Sequence, residues 1–179
     1  MKNQIQGYFK ISTMNEELYR LENTLLKENG LKISMLIEDS ECEEYFGYNF
    51  QLNHYNIKFR KAKVTPKKNG QFVTLWRRNT DKQTEPFHYN DSFDFYIIAT
   101  EYHEKSGYFI FPKSLLAEKQ ILTSDSREGK RGFRVYTVWD IPQNKQAEKT
   151  QKWQLEYFID TALPSNLITE KLNIIFKLS

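Results

Sequence analysis

The sequence predicts a single α+β domain with a mainly antiparallel central sheet flanked by helices. Three observations carry this. Helical periodicity is confined to the two ends of the chain and one short middle segment. Residues between Tyr45 and Trp139 are instead dense in aromatic and β-branched side chains punctuated by turn residues. The chain also has 179 residues and is 15% aromatic, with eleven Tyr and thirteen Phe. That length supports one domain with a sizeable core, and such aromatic content excludes disorder. The domain is expected to run over 1–179, with a lead-in at 1–14 and a closing segment at 161–179.

Thr13-Met14-Asn15-Glu16 has the form of a capping box. Met14, Leu18, Leu21 and Leu25 follow at helical spacing, and Asn29-Gly30 supplies the stop. Glu38 to Glu44 reads as a solvated loop or a short exposed helix. Phe46 to Leu52, Ile57 to Val64 and Phe72 to Arg77 read as strands. His54-Tyr55-Asn56 turns between the first two, and Pro66-Lys67-Lys68-Asn69-Gly70 is a hairpin turn with Asn-Gly supplying positive φ. Phe93 to Thr100 and Tyr108 to Phe111 form a second pair joined around Ser106-Gly107. Pro112 ends it, and Ser114 caps a short helix, Leu115 to Gln120. Gly132 to Trp139 is a further strand, broken by Asp140-Ile141-Pro142. A helix follows over Lys145 to Asp160, and Pro164-Ser165-Asn166 opens a last amphipathic helix through Phe176.

The net charge of +3 conceals strong segregation. Between Lys58 and Arg78 stand eight basic residues (Lys58, Arg60, Lys61, Lys63, Lys67, Lys68, Arg77 and Arg78) and no acidic one. A second basic block spans Arg127 to Lys152. Such asymmetry points to a polyanionic partner. No apolar run approaches the roughly 18 residues of a membrane span, and the N-terminus lacks the apolar stretch of a signal peptide. The one cysteine, Cys42, stands among Glu41, Glu43 and Glu44, which should raise its pKa and leave it unreactive. A single cysteine fits a reducing cytoplasm. His54, His88 and His103 lack metal-ligand spacing, so neither a metal nor a cofactor is expected.

Strand phase sharpens the charge pattern. Side chains alternate faces with period two. In Ile57 to Val64 the face that begins with Ile57 and Phe59 continues with Lys61 and Lys63. Lys113 likewise follows Phe109 and Phe111, and Arg134 shares a phase with Tyr136 and Val138. Burying unpaired cations is costly, so these strand ends should open into a wet or anion-filled cleft, unless a bulge returns the lysines to solvent. Lys145, Lys149 and Lys152 share one helix face, with Trp153 and Tyr157 beside it. Cations interleaved with Trp76, Tyr136, Trp139 or Trp153 suit phosphates and stacked bases, although each aromatic equally suits a core; phase puts Trp76 with Phe72, hence buried.

A metal-dependent nuclease needs converging carboxylates and a nearby lysine. Asp91 and Asp94, with Lys113, are the weak catalytic candidates, but Phe111 stands where the common nuclease pattern has Asp or Glu. No glycine-rich phosphate loop, nucleophile elbow or HExxH is present. Gly129-Lys130-Arg131-Gly132 reads as an exposed loop suited to gripping a phosphate.

The blocks Phe59 to Lys68, Gly70 to Arg78, Phe109 to Ser114, Gly129 to Tyr136 and Asn144 to Trp153 resemble the MepB family, over residues 15–160. The resemblance implies a single α/β domain, a cytoplasmic bacterial protein, and a fold similar to nucleic-acid-binding and degraded nuclease-like proteins, without a settled activity. The expectation is therefore a monomeric protein, not membrane-bound, that holds DNA, RNA or another polyanion in a concave basic cleft. Arg60, Lys61, Lys63, Lys113, Lys130, Arg131 and Arg134 are the expected phosphate contacts, with Lys145 and Lys149 at the rim. The alternatives are a binder or enzyme for a nucleotide or small phosphorylated ligand, and a residual metal-dependent nuclease.

Overall fold

The computed structural model describes residues 16–177. In chain order its elements begin with α1, helical over 16–21 and tightening through a π turn (Glu22–Leu26) and a 3-10 turn (Lys27–Asn29). There follow β1 (Ile33–Glu38), a 3-10 segment (Ser40–Tyr45), β2 (Tyr48–Leu52), β3 (Tyr55–Lys61), β4 (Lys63–Thr65), β5 (Lys68–Thr74), β6 (Trp76–Arg78) and β7 (Thr84–Pro86). The chain continues with β8 (Phe95–Tyr102), β9 (Lys105–Pro112), α2 (Lys113–Glu118), β10 (Gly132–Val135), α3 (Lys145–Leu155), β11 (Phe158–Asp160) and α4 (Ser165–Phe176).

Six strands form one mixed sheet in the order β1-β2-β3-β8-β9-β11, alongside a three-stranded sheet β10-β5-β4 and the β6-β7 hairpin. The pairs are antiparallel except β3 with β8, where Ile57 lies opposite Phe95 and Lys61 opposite Ala99. The α+β class is thus as expected. Among the described residues no helix is long and apolar enough to cross a membrane.

Both faces of the large sheet are covered, which explains why β8 is buried at each of its first six positions. Phe95, Ile97 and Ala99 face a first core, closed by Leu18, Leu21 and Leu25 of α1 and by Ile168, Leu172 and Phe176 of α4. Tyr96 and Ile98 face a second core built with Phe109, Phe111, Val73, Val135 and α2. The edge strand β1 exposes Met35, Leu36 and Ile37. Its register with β2 slips between Ser34 and Ile37, where Met35 takes φ +49°.

Several local readings change. The capping box falls largely on residues outside the described ones, while Gly30 ends α1 in the left-handed conformation as expected (φ +67°). The β2–β3 hairpin turns at Asn53-His54, with Tyr55 and Asn56 already in β3, and the β4–β5 hairpin turns at Pro66-Lys67; Asn69 and Gly70 lie within β5. The positive φ of Gly70 (+73°) serves the register slip against β4, and the Tyr136 ring lies where its Cβ would stand. The β8–β9 turn falls at His103-Glu104, not Ser106-Gly107. Gly107 lies in β9, opposite Thr100, and Phe158 packs over it, 2.3 Å from where a Cβ would be. Ser114 does not cap α2; Pro112 holds the N-cap position, without a side-chain bond. The helix expected to reach Asp160 stops at Leu155, and Phe158–Asp160 instead adds an apolar strand beside β9. The strand expected through Trp139 ends at Val135. Trp76 is half-exposed, since Gln71, Val73 and Leu75 form the buried phase of that segment.

Two cations of β3, Arg60 and Lys61, are compensated from within the protein. Arg60 is fully buried; its Nη2 donates to Asp39 Oδ2 at 2.5 Å and its Nη1 to the Phe59 carbonyl at 2.8 Å. Asp39 also accepts from the Glu41 amide and so opens the 3-10 segment. Lys61 does continue the Ile57-Phe59 face, as phase required, and the anion that meets it is the protein's own. Its Nζ reaches Glu17 of α1 at 2.5 Å and Glu101 of β8 at 2.8 Å, and Glu101 also accepts from Arg20 at 3.1 Å. The Lys61 bond, opposed by burial, holds Glu101 below the usual carboxylate range.

Removing one partner of a buried pair leaves the other charge stranded. Asp39→Ala should therefore destabilise the protein by about 3 kcal/mol in urea unfolding, and Arg60→Met added to it should recover part of that loss. A carboxylate whose folded pKa lies below its unfolded value stabilises fully above the unfolded value and ceases to do so as pH falls through the folded one. Stability should hence decline below about pH 4.3, and Glu101→Gln should flatten that decline in urea midpoints measured against pH.

Candidate polyanion-binding cleft

The expected phosphate contacts are placed in several different settings. Arg60 and Lys61 are committed to the internal pairs above. Lys63 sits in β4, in the other sheet, because the chain leaves β3 at Ala62. It is half-exposed, 3.5 Å from Glu44 and 4.4 Å from the Tyr45 ring centre. Lys113 Nζ donates to the Asp91 carbonyl at 2.9 Å, while its amide donates to the Asp94 carbonyl. Asp94 Oδ2 accepts from the Asn56 amide at 2.8 Å. Asp94 and Lys113 line one hollow, yet both side chains hold backbone there. The Asp91 carboxylate takes Arg77 at 2.5 Å and the His88 amide at 2.6 Å. Among the described residues no three His, Cys, Asp or Glu side chains gather closely enough to hold a metal ion. Cys42 is buried, and burial first, rather than the neighbouring acids, pushes its thiol pKa up.

A different set of cations does converge. A cleft of about 450 Å³ opens between β10 and α3, and Lys119, Lys130 and Arg134 line it with Tyr136, Thr150 and Trp153. None of its lining residues is acidic. β10 pairs with β5, Arg134 opposite Phe72, which aims the arginine away from the apolar phase of Phe133 and Val135. Three neutral oxygens hold the guanidinium: the Asn69 carbonyl at 3.3 Å, the Gly70 carbonyl at 3.1 Å and Thr65 Oγ1 at 2.7 Å. It has no carboxylate partner among the described residues, so its charge is oriented without being neutralised.

The opposite wall is α3. Asn144 caps it by accepting from the Ala147 amide at 2.9 Å. Gln154, fully buried, fastens the helix to β10: it donates to the Arg134 carbonyl at 2.9 Å and accepts from the Tyr136 amide at 2.8 Å. Gln146, Thr150 and Trp153 consequently face the cleft. Lys145, Lys149 and Lys152, each one residue earlier, lie about 100° round the helix and are exposed. Trp153 packs on Phe111, its ring centre 5.4 Å away, with Lys119 Nζ 5.7 Å from the indole. Lys119 also bonds Glu118 at 2.8 Å on the exposed side of α2.

Lys130 is exposed and has no side-chain partner among the described residues; its amide bonds the Ile121 carbonyl and so brings the 129–132 loop to α2. Arg131 points elsewhere, to the Thr84 carbonyl at 3.0 Å and Glu128 at 2.9 Å. Lys119 is not legible in the sequence, because nothing local distinguishes a lysine after a short helix; the Lys130–Ile121 and Gly129–Thr123 bonds bring its segment to the loop that enters β10. Lys58 likewise reads as one more member of the basic run, although it is half-buried beside Asn49.

No curated protein matches the chain. The crystal structure of MepB has 38% sequence identity to it and a TM-score of 0.72, covering 74% of this chain and 89% of that one. A bacterial homing endonuclease, I-Ssp6803I, aligns over 82% of this chain and 84% of its own at 14% identity and a TM-score of 0.42, too loose a likeness to support any argument. A family model described as MepB-like matches residues 39–160, which hold β2 to β11 and every wall of the cleft. The chain belongs to the MepB-like family.

Proposed function

We propose that this is a bacterial, cytoplasmic nucleic-acid-binding protein that grips phosphates in the cleft between β10 and α3. The observation that carries the reading is the convergence of Lys119, Lys130 and Arg134 on one cleft with no acidic lining residue. Grouped cations favour a ligand with repeated negative charge, and each phosphate neutralised releases condensed counterions. Lys145, Lys149 and Lys152 extend the positive surface along α3, opposed on that helix by Glu148 alone. Trp153 and Tyr136 give the cleft aromatic walls against which a base can lie. The free, buried Cys42 agrees with a reducing compartment.

Binding to a labelled oligonucleotide, followed by fluorescence anisotropy, should weaken roughly 20- to 40-fold between 50 and 200 mM salt, the amount expected for about three phosphate contacts. Lys119→Ala, Lys130→Ala and Arg134→Ala combined should flatten that dependence, and Lys67→Ala with Lys68→Ala on the exposed hairpin should leave it nearly unchanged. Affinity indifferent to salt, or undiminished in the triple variant, would refute the cleft.

A further inference from the structure

A second cleft, of about 330 Å³, lies among β1, β2, β3, β6 and the loop before β8, and Lys58 stands in its wall. Lys58 belongs to the β3 phase that faces the second core, paired across the sheet with Asn49 and Tyr96. Its Nζ donates to Asn49 Oδ1 at 2.7 Å and lies 4.3 Å from the Phe87 ring centre. Unlike Arg60 and Lys61 on the same strand, it has no carboxylate within ion-pair distance among the described residues. A half-buried ammonium left in this state is a charge in want of a counterion.

The charged groups around it do not supply one. Arg60 on β3 repels it, and the Asp39 carboxylate from the 3-10 segment is already bonded to Arg60. Cys42, from the same segment, carries a thiol whose pKa is raised by burial. Arg77 of β6 and Asp91 of the loop before β8 also line the cleft, but they bond each other, and Arg77 holds Glu85 of β7 as well. Burial, with the repulsion from Arg60, pushes Lys58 down to about 8. The remaining walls are of two kinds: amide and hydroxyl groups from Asn49, Gln51, Asn56 and Ser92, and apolar surface from Phe87 and Phe93.

We propose that this cleft binds a small organic anion, a phosphate or carboxylate carried on an apolar body, with the anionic group on Lys58 Nζ. The polar donors surround the anion, the phenyl rings receive the body, and the volume admits a ligand of about mononucleotide size at most. The site is separate from the cleft of Lys119, Lys130 and Arg134 and does not depend on it. Because an anion favours the charged amine, binding carries a proton with it.

The test is calorimetry on the full chain at pH 8 in Tris and in HEPES, whose ionisation heats differ. The probes are AMP for the phosphate arm, benzoate for the carboxylate arm and inorganic phosphate for the anion alone. The expected result is saturable binding of AMP or benzoate, tighter than inorganic phosphate, with uptake of about half a proton, the fraction that a group titrating near 8 lacks at that pH. Lys58→Met should weaken binding at least tenfold and abolish the uptake, while the triple variant of the other cleft should bind as before. Should Lys58→Met not fold, the Nζ resonance of Lys58 followed by NMR in the unaltered protein should titrate at higher pH with AMP or benzoate present. No binding of either organic probe at millimolar concentration, binding without proton uptake, binding retained by Lys58→Met, or an unmoved Lys58 titration would each overturn the proposal.

Discussion

Arg60 and Lys61 stand in β3 where both faces of the sheet are covered, so each must find its counterion inside the protein. That constraint organises much of the rest. Arg60 draws Asp39 to itself and thereby fixes the 3-10 segment between β1 and β2. The approach is close enough that Gly47 has no room for a side chain: a Cβ there would come within 2.9 Å of Arg60 Nη1. Lys61 draws in Glu17 and Glu101, tying α1 to the top of β8 beside the first core. Lys58 alone receives a neutral partner, and it lines an open cleft. The strand thus separates its cations by the kind of partner each has, which no count of positive residues distinguishes.

How much of this was legible depended on the range of the interaction. The α1 and α4 periodicities, the alternation in β8 and β9 and the family blocks are local and read directly. The phase argument located Lys61 on the core face correctly, but its anions come from Glu17 and Glu101, some forty residues away on either side, and no spacing rule connects them. Asn69-Gly70 has strong hairpin chemistry, yet the register of β4 against β5 uses it as a bulge. Tyr157-Phe158-Ile159 continues an apolar helical pattern well enough to extend α3, until the open edge of β9 claims it as strand. Tertiary pairing overrode local preference in both places.

The candidate cleft was legible in two of its three cations. Lys130 and Arg134 were identified from the second basic block and from strand phase, and the rim from helix spacing. Arg60 and Lys61 had the same credentials in sequence and are bound within the fold, because charge type does not reveal whether the partner is a carboxylate or a carbonyl. That distinction separates the two roles here: carboxylate partners neutralise Arg60 and Lys61, whereas the carbonyls and hydroxyl around Arg134 leave its charge in place.

The carbonyl cradle of Arg134 has a further consequence. A free arginine surrenders about 1.5–2 kcal/mol of rotamer entropy when it is immobilised. Here the Thr65, Asn69 and Gly70 oxygens exact that loss when the chain folds, before any anion arrives. The side chain is therefore preorganised: it offers its charge at a fixed place with little left to order on contact. On the proposed reading, rim lysines such as Lys149, exposed on α3, would meet an anion without such a cradle and would have to be ordered to hold it. The cleft couples a fixed central cation to exposed marginal ones, so under the proposed function a long charged chain would be registered at one point, Arg134.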